Sequence, residues 1–322
     1  MRTDRVDHAL FLLPVWFHID DFVLPWIEFY IFEGRERTAM KFAINIPNCH
    51  GDYSDVHLVA QVAHEAEEAG WDGFFVWDHI GDKWGDEVSD PWVMLAAIAT
   101  QTRRIKLGTL VTPLSRRRPW KLAREVVTLD HLSQGRVVLG VGSGGGIEYV
   151  RYHEPGNAKE HGEMLDEGLE ILERLWSGER FSFAGKHYQL DDVRHLPRPV
   201  QQPRIPVWVG GVWPNPKPMR RAGHWDGVFP IGKGLTQTQQ LSPAEMRDCL
   251  AFIREQQTPE QREQPFTVAH SGLLTGKDRQ QDAALVSEYE AVGVNWWVEG
   301  VSWQRGSLSE MRAFIQQGPP RL

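Results

Sequence analysis

Asp78 and His79 close the run GFFVWDH and carry the plainest chemical signal in the chain. A carboxylate beside an imidazole can orient the ring or tune it for proton transfer. Adjacent side chains on a strand point apart, so one of the two would face a pocket. An aspartate that caps a turn next to a satisfied loop histidine is the simpler alternative.

Glycines supply the second signal. Gly140, Gly142 and Gly145 fit G-x-G-x-x-G. As a dinucleotide fingerprint, that motif needs a helix opening straight from the loop and an acidic residue about 20 residues on. Pro155 and Gly156 interrupt the segment where that helix would run. The glycines therefore read as a loop that lets a ring system approach backbone N–H groups. Gly210 and Gly211, ahead of Pro214, Pro216 and a short helix, would offer N–H groups to a phosphate or form a tight turn.

Other groups carry less. Arg116, Arg117 and Arg118 precede Pro119 and read as an anion site or, more simply, as a solvated loop. His64 and Glu65 lack the second histidine of H-E-x-x-H. Cys49 and His50 are chain neighbours, which does not make a dyad. Neither metal nor thiol chemistry is expected. Trp77, Trp208, Trp213 and Trp303, among 14 tryptophans, fall near strand ends, where indoles can stack on a flavin-like ring.

Such residues need a scaffold that gathers strand ends. From Met40 the chain alternates eight apolar runs with eight helical patterns. The runs are continuous rather than alternating, as strands buried on both faces require. Eight βα units predict a (β/α)8 TIM barrel, with a doubly wound open sheet as competitor. Function in a barrel lies at the C-terminal strand ends, which here hold residues 47–50, 77–79, 109–113, 142–146 and 210–213, with Glu299. They are rich in glycine, indole and polar groups and poor in charge, suiting a flat, partly neutral ligand. Residues 181–196 predict a hairpin turning at Gly185, inserted after the fourth helix, and residues 235–264 a polar surface helix.

The 322 residues carry 35 Lys and Arg against 43 Asp and Glu, a net charge of −8. Nucleic acid needs a basic face and is not an expected partner. Two cysteines give no disulfide framework, which fits a cytoplasmic protein. Residues 9–32 are apolar, but Asp20, Asp21, Glu28, Pro14 and Pro25 interrupt them. A span needs about 20 apolar residues with few charges, and no cleavage site follows, so neither a membrane span nor a secretory signal is expected. Residues 1–39 read as an irregular extension, with Met40 opening the functional barrel over 40–322. A chain beginning at Met40 is expected to fold and bind its cofactor.

The segments MKFAINIPN, AEEAGWDGFFVWDH, DPWVMLAAIATQTRRIKLGTLVTPL, RRRPWKLAREVVTLDHLSQGRVVLGVGSG and PRPVQQPRIPVWVGG follow one another in this order. From Met40 on, this series resembles the bacterial luciferase-like monooxygenase family, barrel oxidoreductases that use a flavin or F420. The resemblance implies that Asp78 contacts the deazaflavin in F420-using members and that His79 acts in catalysis. It implies ring contacts from Thr112, a non-prolyl cis peptide within 109–111 that brings Thr109 to the ring, and cofactor contacts from Ser143 and Gly144. Gly210 and Gly211 would sit on the phosphate side.

Two positions depart from the pattern of the sugar-phosphate dehydrogenases in that family. Gly145 stands where they carry a catalytic glutamate, and Glu148 where they carry an asparagine. With that carboxylate absent, the resemblance implies reduced FMN first. The expected reaction is then monooxygenation of a small organic substrate with O2, with a flavin reductase as partner and a homo-oligomeric assembly. The alternative is F420, with hydride transfer and no oxygen. A reading from another class is a non-catalytic flavin carrier or sensor.

Overall fold

Strands form here where runs of β-branched, leucine and aromatic residues meet a closing glycine or polar residue. The computed structural model describes residues 39–81, 87–234 and 239–322. The strands are β1 (Lys41–Ile46), β2 (Gly73–Val76), β3 (Lys106–Pro113), β4 (Val137–Gly142), β5 (Phe181–Ala184), β6 (Gln189–Val193), β7 (Val207–Trp213), β8 (Gly227–Gly232), β9 (Thr267–Gly272) and β10 (Trp296–Gly300). The helices are α1 (Val56–Glu68), α2 (Pro91–Gln101), α3 (Pro119–Ser133), α4 (Ile147–Arg151), α5 (Ala158–Ser177), α6 (Pro216–Ala222), α7 (Pro243–Gln256), α8 (Pro259–Glu263), α9 (Arg279–Ala291) and α10 (Leu308–Gln316). All strands but β5 and β6 close a parallel barrel in the order β1-β2-β3-β4-β7-β8-β9-β10, and β10 pairs with β1. The expected (β/α)8 barrel is what forms.

Local chemistry sets the helix starts. Asp55 accepts the N–H groups of His57 and Leu58, and Asp90 those of Trp92 and Val93 with Pro91 at the first helical position. Asn157 and Glu160 build a reciprocal capping box on α5, and Gly178 ends it in the left-handed region.

Two apolar layers explain why the strands read as continuous runs. Ala43, Phe75, Leu110, Val138, Trp208, Phe229, Ala269, Trp296 and Val298 fill the barrel interior. Phe75, Trp208 and Trp296 lie 5.2–6.3 Å apart between ring centroids. The alternate residues, such as Ile44, Phe74 and Leu107, pack outward against the helices. With the interior filled, a ligand can enter only at the strand ends.

Several charged residues serve this scaffold. Glu65 pairs with Arg312 of α10. Glu67 accepts the backbone N–H groups of Arg103, Arg104 and Ile105 ahead of β3. Glu299 accepts from Leu274 N–H at 2.9 Å, Trp297 Nε1 at 2.8 Å and Arg305 at 2.5 Å, joining the loops after β9 and β10.

The expected hairpin is β5–β6, where Gly185 N–H meets the Tyr188 carbonyl at 2.9 Å. The polar stretch 235–264 contains a barrel helix rather than a loose surface one, since α7 buries Met246, Cys249, Leu250 and Ile253. The helices α4 and α8, five residues each, add to the expected alternation. Residues 1–38, which hold almost all of the predicted extension and its apolar run, lie outside the described residues. Among those described, no helix is long and apolar enough to cross a membrane.

Candidate active site

The ends of β1, β2, β3, β4, β8 and β9 contribute to one cavity of about 440 Å³. Trp77 and Phe229 line it, together with Leu110 and Val111, which are joined by a cis peptide. This is the non-prolyl cis bond expected within 109–111. The loop after β4 lines another part of the wall through Gly144, Gly145 and Gly146, with φ of 74°, 136° and 86°. A Cβ on Gly144 would lie 1.9 Å from the Tyr149 hydroxyl, so that position admits only glycine.

A network of charges adjoins this cavity. Arg117 grips Asp78 with two bonds, Nε to Oδ2 at 2.9 Å and Nη2 to Oδ1 at 2.7 Å, the fork geometry that suits a carboxylate. Arg116 donates to the Asp78 carbonyl at 2.7 Å and, through its other terminal nitrogen, to Glu148 Oε2 at 2.8 Å. Glu148 Oε1 lies 3.1 Å from His79 Nδ1 and accepts the N–H groups of Ile80 and Gly81 at 3.1 and 3.3 Å. Two carboxylates thus face two guanidiniums, and each buried charge has a partner, as burial requires.

Burial pushes the Glu148 carboxyl upward, but the hydrogen bonds and charges of His79 and Arg116 outweigh it and hold its pKa down at about 2. Burial likewise works against the charge of Arg117, and Asp78 outweighs it, leaving the Arg117 pKa raised. Side-chain exposure separates the roles: 0% for Asp78, 4% for Arg116 and 7% for Glu148, against 29% for His79. His79 is the most exposed member of the network on the cavity wall.

The structure brings most of the expected site residues together. Asp78, His79 and Gly144 line the cavity. Thr112 Oγ1 lies 2.8 Å from Asp78 Oδ2 and 2.9 Å from Thr109 Oγ1, and both threonines are fully buried. Their side chains support Asp78. The Ser143 carbonyl accepts from Ser115 Oγ at 2.6 Å, and Ser115 lies 2.7 Å from the Tyr149 hydroxyl, which anchors the glycine loop.

Gly210 and Gly211 lie within β7, paired with Phe229 and Pro230 of β8, and are not among the residues lining this cavity. A Cβ on Gly210 would stand 2.8 Å from Val111, and one on Gly211 2.2 Å from Pro218. Close packing leaves no room for a side chain at either position. Of the four tryptophans near strand ends, Trp77 lines the cavity, with its ring 5.7 Å from that of His79. Trp208 belongs to the barrel interior, and Trp213 packs on Phe252.

Arg116 and Arg117 form no solvated loop. Their counter-charges, Asp78 and Glu148, sit 32 to 39 residues away in sequence. Glu148 appeared in the sequence only as a departure from a pattern, and Asn45 gave no signal beyond its place near the end of a strand.

The sequence profile of the luciferase-like monooxygenases matches residues 40–304. An F420-dependent glucose-6-phosphate dehydrogenase of Amycolatopsis mediterranei is 34% identical over 194 residues, 58% of this chain and 57% of the relative. An F420-dependent hydroxymycolic acid dehydrogenase of Mycobacterium tuberculosis is 32% identical over 199 residues, 60% of this chain and 54% of the relative. The match thus spans little more than half of these relatives' length. Among solved structures, an F420-dependent secondary alcohol dehydrogenase in complex with an F420-acetone adduct superposes with a TM-score of 0.71 at 15% identity, covering 88% of this chain and 99% of the other. The oxygenating constituent of 3,6-diketocamphane monooxygenase of Pseudomonas putida, in complex with FMN, reaches 0.60 at 21% identity, covering 87% and 78%. At these identities the two structures speak to the fold.

Proposed function

The chain belongs to the luciferase-like monooxygenase family and is an oxidoreductase, and from that premise we propose that it transfers hydride between F420 and a small alcohol or carbonyl compound. The observation that carries this reading is the His79–Glu148 pair. It places a part-exposed imidazole on the cavity wall with its Nδ1 held by a buried carboxylate. The relatives at 32–34% identity that carry F420 in their names support the choice of cofactor.

The cavity fits such a group. Trp77, Phe229, Leu110 and Val111 give a flat ring apolar surroundings. A Cβ built on Gly145 or Gly146 meets nothing within 4 Å, so the approach over this loop is open. The Leu110–Val111 peptide and the backbone of Gly144 would hold the ring. F420, when bound, supplies a two-electron acceptor or donor of hydride. In the oxidising direction the substrate's C–H bond breaks with its electron pair, and the O–H proton passes to His79, leaving a carbonyl. Glu148 fixes the plane of the imidazole and stabilises the imidazolium that results. Arg116 holds Glu148, while Arg117 and Thr112 hold Asp78.

FMN with O2 is the second reading, favoured by Gly145, which leaves the β4 loop without the carboxylate of the sugar-phosphate dehydrogenases. An anaerobic assay separates the two. Small secondary alcohols should bleach the F420 absorbance in the absence of oxygen, and a strict requirement for O2 would favour FMN.

A further inference from the structure

Asn45 is 7% exposed and lines the cavity, yet its Oδ1 is fully buried and accepts no hydrogen bond. Its position in β1 explains the orientation. Ala43 belongs to the barrel interior, and a residue two places on shares its face. The Asn45 side chain therefore points inward above the aromatic filling, where no neighbouring side chain supplies a donor. Its backbone is fully committed to the barrel: the carbonyl accepts Val301 N–H at 2.9 Å, and the residue pairs with Phe75 and Gly300. A buried acceptor left unmet is costly. Leucine is close in volume and carries no such cost, so a structural role alone does not account for asparagine here.

We infer that Asn45 is a specificity-determining residue whose amide turns on ligand binding, so that Oδ1, enclosed in the ligand-free protein, accepts a hydrogen bond from an N–H or O–H group of the bound ligand. The charged network lines this cavity through Asp78, His79, Arg116 and Glu148, and Asn45 adds a neutral acceptor from β1. Flavins and deazaflavins carry an imide N–H, and an alcohol substrate carries an O–H. Either donor satisfies the geometry. The identity of the occupant rests on the proposed function, but the need for a donor holds for FMN as for F420.

The test compares wild type with Asn45→Leu and Asn45→Ser in the full chain. Three quantities are read: thermal unfolding without ligand, the dissociation constants of F420 and FMN by fluorescence titration, and KM for an alcohol substrate. The ligand-free Tm of Asn45→Leu should equal or exceed that of wild type, because the unmet amide is gone. If the cofactor is the donor, its dissociation constant rises about 10- to 100-fold. If the substrate is the donor, cofactor binding is unchanged and KM rises by a similar factor. Asn45→Ser, which retains an acceptor, should fall between the two. Unchanged binding and KM in both variants would overturn the inference, as would a lower Tm with unchanged binding in Asn45→Ser should Asn45→Leu not fold. Failure of wild type to bind F420 while binding FMN would instead count against the proposed cofactor and leave the role of Asn45 to be read from the FMN titration.

Discussion

Glu148 Oε1 sits 3.1 Å from His79 Nδ1, and the same oxygen accepts the backbone N–H groups of Ile80 and Gly81. One carboxylate oxygen therefore fixes both the imidazole and the turn that carries it. Holding one ring nitrogen sets the tautomer and orientation of the ring, which matters for the proton transfer proposed for His79.

Removing the imidazole and removing its holder should differ in degree. His79→Ala is expected to lower kcat by about 10²- to 10⁴-fold, the usual range for a positioned acid–base group. Glu148→Gln keeps the shape and the oxygen that faces His79, Ile80 and Gly81 but loses the charge and the acceptor for Arg116, and a drop of roughly tenfold is expected. Steady-state kinetics on both variants checks the order. Cofactor affinity, measured separately, should change little in His79→Ala.

Acid should remove what Glu148 contributes to stability. Its folded pKa is depressed from the ordinary 4.5 to about 2. The stabilisation is therefore fully present above pH 4.5 and is lost as pH falls toward 2. Wild type should exceed Glu148→Gln in Tm at neutral pH, and the gap should close as the pH drops through that window. Thermal unfolding of both proteins from pH 7 to about pH 2 measures it.

Asp78 tests the network from its other end. Its side chain is fully buried and meets Arg117 through two bonds and Arg116 through a third. Asp78→Asn would leave two largely buried guanidiniums short of their counter-charge. A loss of about 3–5 kcal/mol is expected, read as a lower urea midpoint with an unchanged m-value. A near-neutral result would mean that Glu148 alone balances both arginines.

The parts of the molecule that were legible in the sequence are those encoded locally. Continuous apolar runs such as VVLGVG mark strands buried on both faces, and Asp90-Pro91 marks a helix start, because each depends on residues only a few places apart. Asp78 and His79 were visible as a pair for the same reason. The supporting charges were not. Arg116 and Arg117 look solvated until Asp78 and Glu148 are brought to them across more than 30 residues. Gly210 and Gly211 read as a phosphate cradle or a tight turn, and the folded chain adds a second reason for glycine there: β7 passes Val111 and Pro218 at close range. Asn45 became visible only when the barrel closed and left its Oδ1 without a donor.

The central claim is that this barrel takes a deazaflavin and passes hydride under the control of His79. The most direct measurement is a side-by-side fluorescence titration of the full chain with F420, FMN and reduced FMN, repeated with His79→Ala. Saturable F420 binding tighter than that of either form of FMN is expected, with affinity largely kept in the variant. Tight binding of reduced FMN with none for F420 would contradict it and return the FMN and oxygen chemistry to first place.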